Sequence, residues 1–97
     1  MTPTLAIDKI KRLWEELMPT AVSPLDDYNV YLWAQRNFDD VTYAIERTAE
    51  KMHKNVRDGA AIPDDAAQRY TTSIIASRTK WRKERDTQGG HIGTLNR

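Results

Sequence analysis

The stretch FDDVTYAIERTAEKMHKN, Phe38 to Asn55, decides the fold. Val41, Ala44, Ile45, Thr48, Ala49 and Met52 recur at spacings of three and four, the period that gathers side chains on one face of an α-helix. Asp39 is placed to accept from the free N–H groups of the first turn. Phe38, just before it, is placed to pack on Tyr43 as a hydrophobic staple. Glu46 and Glu50 precede Lys51 and Lys54 by four or five residues, and Lys51, His53 and Lys54 suit the negative end of the helix dipole. Ala44 and Ala49 are small enough to let neighbouring helices come close. The stretch reads as the central helix of an all-helical domain.

On its N-terminal side the spacing predicts a helix from Leu5 to about Met18, capped by Thr4, burying Leu5, Ile10, Leu13, Trp14 and Leu17 with Ile7 at the edge. Pro19 disfavours a helical Met18 and ends it. Ser23-Pro24 reads as the cap and first position of a second helix. There Leu25, Tyr28, Tyr31, Leu32 and Gln35 share a face, with Val30 and Trp33 on adjoining ones. Arg36-Asn37 is a tight link. Beyond Asn55 the periodicity dissolves into a loop, VRDGAA. Ile62-Pro63-Asp64-Asp65 then opens a fourth helix running to about Asp86, with Ala67, Tyr70, Ile74, Ser77 or Arg78, and Trp81 in one stripe and Ile75 beside it. Thr87 to Gly90 breaks that helix, and residues 89–97 are expected to form a flexible tail. The expectation is a compact single-domain bundle of four main helices: a helical domain over 1–88 and the tail.

Ninety-seven residues suffice for one core and not two. The chain has no cysteine, which excludes a disulfide framework, a thiolate zinc site and a cysteine nucleophile. No apolar run is long enough to span a bilayer, and the N-terminus lacks the basic-then-apolar order of a signal peptide. A reducing, cytoplasmic setting is the expectation. His53 and His91 stand alone, without the spacing of a zinc site. Asp26-Asp27, Asp39-Asp40 and Asp64-Asp65 each fall in a predicted first helical turn, where carboxylates offset the macrodipole, so one structural cause covers all three pairs. Ser23, Ser73 and Ser77 have no nearby base, and Gly89-Gly90 follows a helix instead of leading into one. Neither catalysis, nor a metal, nor a cofactor is expected.

Charge is unevenly spread. Residues 1–40 carry a net −3 and residues 41–97 a net +4, and from Arg69 onward the excess is +5. Its centre is Arg78-Thr79-Lys80-Trp81-Arg82-Lys83-Glu84-Arg85. On a helix Arg78, Arg82 and Arg85 lie along one face, with Lys80 and Lys83 flanking. Such a surface can follow a phosphate backbone, and an exposed tryptophan can stack a base. Equally, Trp81 can close the core while the cations cover a solvated last turn.

The order of these features resembles the C-terminal domain of DnaD-type replication initiation proteins of bacteria and phages. The resemblance rests on Leu13-Trp14-Glu15-Glu16-Leu17, Ser23-Pro24, Trp33 before Asp39-Asp40-Val41, Ala44-Ile45, Tyr70-Thr71-Thr72-Ser73-Ile74 and Trp81. It spans roughly residues 5–85. Trp81 departs from the layout, following Ile74 by seven residues where the family places it about one turn on. The chain also has no winged-helix segment ahead of the helical unit, so an accessory module is expected and not a full initiator. The resemblance implies a helical unit that engages DNA and a replication protein such as the replicative helicase, aiding helicase loading. In that reading Arg78, Lys80, Arg82, Lys83 and Arg85 neutralise phosphates, single- or double-stranded, while Tyr70, Ile74 and Trp81 hold their helix on the core. The alternative is a small phage or mobile-element protein that regulates a host protein without touching nucleic acid, its acidic N-terminal half the working surface.

Overall fold

A computed structural model describes residues 2–85 in full and the helical course of 86–95. Its elements are α1 (Pro3–Leu17), α2 (Asp27–Ala34), α3 (Phe38–Arg57) and α4 (Ala66–Leu95), with no strand among the described residues. The all-α, four-helix expectation holds. α4 continues as a helix through Thr87–Gly90 to Leu95, so the expected break there does not form. The end of the expected tail, 96–97, lies outside the described residues. Among the described residues no helix is long and apolar enough to cross a membrane.

α3 is the centre, packed mainly against α4 and α1, with α1 against α2. All six residues of its predicted stripe are buried. Its cap is Asn37, not Asp39: the Asn37 carboxamide oxygen accepts from the Asp40 N–H at 3.2 Å. Phe38 is therefore the first helical residue. Five positions from Tyr43, it lies on a different face, so the expected staple does not form. Phe38 faces Lys9 of α1, whose ammonium lies 6.0 Å from its ring, while Tyr43 faces α4. α3 runs two residues past Asn55 and closes with Gly59 at φ 74°, where a left-handed backbone favours glycine. The Gly59 and Ala60 N–H groups return to the carbonyls of Val56 and Asn55, a Schellman closure.

Three other expectations shift, each for a local reason. α1 begins two residues early because Thr2 accepts from the Leu5 N–H and Pro3 occupies the first turn. Ala6, Ile10 and Trp14, four apart, are then its buried line, and Leu5 stays exposed. α2 starts at Asp27, capped by Asp26, and Ser23-Pro24 stays outside the helix. There the Ser23 carbonyl accepts from the Trp14 indole at 3.3 Å and the Pro24 carbonyl from Gln68 at 3.3 Å. Gln68, itself buried, also accepts from the Asp26 N–H and the Asn29 amide. α2 buries Val30 and Trp33, while Tyr28 and Tyr31 remain 69% and 65% exposed, keeping their phenols in water. The Trp33 ring lies 5.7 Å from that of Trp14, and its N–H donates to Thr72 of α4.

The face of α4 is rotated by one position from expectation. Ala67, Thr71 and Ile75 are buried, Tyr70 and Ile74 half-buried, and Trp81 is 45% exposed, so Trp81 does not close the core. Both stripes have helical spacing. The smaller set wins because α4 lies close on α3, where the Thr48 and Thr71 hydroxyl oxygens meet at 2.6 Å. Each of these oxygens also lies 2.8 Å from the carbonyl four residues earlier in its own helix.

Candidate nucleic-acid interface

Continuing the buried line of α4 beyond Ile75 by three and then four residues leads to Arg78 and Arg82. The core stripe thus ends in two cations, and they turn inward. Asp40, in the first turn of α3, is 1% exposed and receives both. Arg82 donates from Nη2 to Oδ1 at 2.8 Å and from Nε to Oδ2 at 3.3 Å, a two-pronged carboxylate contact. Arg78 Nε lies 3.5 Å from Oδ1, a charge contact without hydrogen-bond alignment. The hydrogen bond from Arg82 holds the Asp40 carboxyl below its ordinary value. Burial pushes the other way, and the charges of Arg82 and Arg78 add to the lowering. Asp40 is therefore the acid of an interhelical clasp, and the purely dipolar role expected for the Asp39-Asp40 pair does not hold for it.

The clasp sorts the basic run into three groups. Arg78 and Arg82 are held against α3, each side chain one-third exposed. Arg85 lies beside Trp81, its guanidinium carbon 4.7 Å from the ring centre. Arg78 lies 5.0 Å from the same ring and 4.5 Å from that of Tyr43, so aromatic and guanidinium groups alternate along one edge of α4. Lys80 and Lys83 point to the other side. With Arg36, from the link after α2, they line a groove of about 370 Å³ between α2 and α4. Leu32, Ala76 and Thr79 also line it, and no acidic side chain does so among the described residues. Nor does any ion pair engage Arg36, Lys80 or Lys83 among those residues; elsewhere Lys11, Lys54 and Arg69 pair with Asp27, Asp58 and Asp65.

The five basic residues singled out in the sequence are thus on one helix end but not on one surface. Tyr70 and Ile74 lie half-buried one turn apart at the α3–α4 boundary, with the Lys51 ammonium 5.2 Å from the Tyr70 ring. Arg36 and Asp40 were not legible as site residues. The signal for Asp40 was present in the spacing of Thr71, Ile75, Arg78 and Arg82, since a core stripe that ends in arginines requires a buried acid. A larger open trough, about 970 Å³, follows the back of α3, but Glu46 and Glu50 stand among its cations. Mixed charge makes it a poor cradle for a polyanion. His53 there donates from Nε2 to the Leu17 carbonyl at 2.7 Å, tying the end of α1 to α3.

Comparison with protein-family models, with curated proteins and with solved structures finds no match.

Proposed function

We propose that the chain is a non-catalytic accessory module that binds the phosphate backbone of DNA through Arg36, Lys80 and Lys83 at the groove between α2 and α4, and through Arg85 on the other edge of α4. The observation that carries this reading is the convergence of Arg36, Lys80 and Lys83 on a groove with no acidic lining among the described residues. In this reading Arg78 and Arg82 act at one remove. Committed to Asp40, they fix the helix that presents the other cations. The DnaD-type resemblance supplies the setting, a cytoplasmic replication complex in which a second face meets a replication protein.

Fluorescence anisotropy with labelled single- and double-stranded oligonucleotides tests the reading. With about four phosphate contacts the log–log dependence of affinity on salt has a slope of about −3 to −4. Lys80→Ala with Lys83→Ala reduces that slope by about two and weakens all sequences alike. The melting temperature stays unchanged, because both lysines are exposed and in no ion pair among the described residues. No binding at tens of micromolar in low salt would sink the DNA reading. The regulator of a host protein would then stand in its place, a reading favoured by the exposed Tyr28 and Tyr31 on the acidic N-terminal half.

A further inference from the structure

We infer that the groove between α2 and α4 is a seat for an acidic amphipathic helix of a partner protein, bound by its apolar face and gripped at its edges by Arg36, Lys80 and Lys83. Three observations lead there. The lining is two-toned: Leu32 and Ala76 offer apolar contact, while the charged residues lining it are all cations. A simple polyanion site has no use for the apolar part. Second, the groove runs beside α4 from Thr72 to Lys83, about 16 Å at the rise of an α-helix, or three turns. That is the length over which an amphipathic helix presents anchors at i, i+3 or i+4, and i+7. Third, the three cations have no acidic partners among the described residues, so a partner's carboxylates meet charges that are not already neutralised.

Nucleic acid uses the same lysines but has no comparable use for the floor. Trp33, the one aromatic among the described residues that line the groove, is 2% exposed and offers no ring face for stacking. The inference therefore stands apart from the DNA reading, and it adds a consequence. A helix in the groove and a phosphate backbone on Lys80 and Lys83 exclude one another.

The probe is a synthetic amphipathic peptide of about fifteen residues, with leucines at the anchor positions and glutamates flanking them. One control replaces the leucines by glutamine at equal charge; a second replaces the glutamates by lysine at equal hydrophobicity. Anisotropy at about 0.15 M salt limits diffuse attraction between surface charges. The expected result is that only the first peptide binds, and that Ala76→Arg weakens it about tenfold or more. This variant is the decisive one. It fills the floor while adding a positive charge, so a seat is lost where a mere electrostatic patch is strengthened. Ala76 is exposed, and a melting curve checks that the variant folds. Lys80→Glu with Lys83→Glu, also on exposed positions, supplies an independent loss of binding.

Tighter or unchanged binding to Ala76→Arg, or equal binding of the glutamine control, would overturn the inference. So would a concentration-dependent dimer in sedimentation that Ala76→Arg abolishes, which assigns the groove to a second copy of the chain. Oligonucleotide affinity reads the DNA proposal separately: Ala76→Arg leaves it unchanged or raises it. Loss of peptide binding alone, or of oligonucleotide binding alone, thus tells the two proposals apart.

Discussion

Replacing Arg82 by alanine tests the clasp. Asp40 is almost completely buried, and its carboxylate takes two hydrogen bonds from Arg82 and a charge contact from Arg78. Removing Arg82 leaves a desolvated anion with one poorly aligned partner. Breaking a buried ion pair costs about 3–5 kcal/mol. The lower end applies here, because Arg78 remains within 3.5 Å and the guanidiniums are one-third exposed. We expect about 3 kcal/mol, a large share of the roughly 5–15 kcal/mol that holds a small domain together. Urea titration followed by tryptophan fluorescence at neutral pH measures it. Asp40→Leu with Arg82→Met should recover most of the loss, since an apolar pair of similar volume escapes the desolvation cost. The pH dependence gives a second reading of the same contact. The folded-state value of Asp40 lies below its ordinary 3.8, so its contribution is complete above that value and is lost as pH falls through the folded one. Arg82→Ala should flatten that acid limb. A cost below about 0.5 kcal/mol, typical of a surface pair, would refute the reasoning.

Ile45 is fully buried, and Ile45→Ala should cost about 2–5 kcal/mol in the same titration. Asn37→Ala should cost about 1 kcal/mol as the lost cap of α3, whereas Asp39→Ala, on an exposed position, should stay within about 0.5 kcal/mol. Gln68→Leu strands the Asp26 N–H and the Asn29 amide, and about 1–3 kcal/mol should be lost, with faster hydrogen exchange at Asp26.

How much of this was legible follows from how many physical demands each residue meets. The stripe of α3 was readable in full because one helix buries one face and its residue types are unambiguous. α2 was misread because tyrosine satisfies an apolar pattern and also lives in water, so Tyr28 and Tyr31 were indistinguishable from core residues by spacing. α4 carries two helical stripes one position apart, and only the close approach at Thr48 and Thr71 chooses between them. Asp40 had a sufficient local explanation as a first-turn acid. Its actual partners lie about forty residues away, so the arginines ending the α4 stripe could signal a need for an acid but not which acid meets them. A similar distance hides the role of Gln68, whose three bonds reach back to residues 24, 26 and 29. The groove was invisible for a related reason. Arg36 belongs to a link, and its meeting with Lys80 and Lys83 exists only once α2 and α4 are side by side.

The threonine pair between α3 and α4 also poses a question of proton counting. Three short oxygen–oxygen contacts involve these hydroxyls: one between them and one from each to its own helix carbonyl. The two hydroxyls own only two protons, and carbonyls own none. If both protons point at the carbonyls, the two hydroxyl oxygens face each other lone pair to lone pair at 2.6 Å. One threonine must therefore give its proton to the other and leave its own carbonyl without it, although the helix N–H still serves that carbonyl. Because the two sites have the same local geometry, either can be the giver. The tightest point of the helix interface thus has a fixed heavy-atom arrangement with two proton arrangements, interchanged by a concerted turn of both hydroxyls. Its order is that of ice, in which the oxygens are placed and the hydrogens keep a choice.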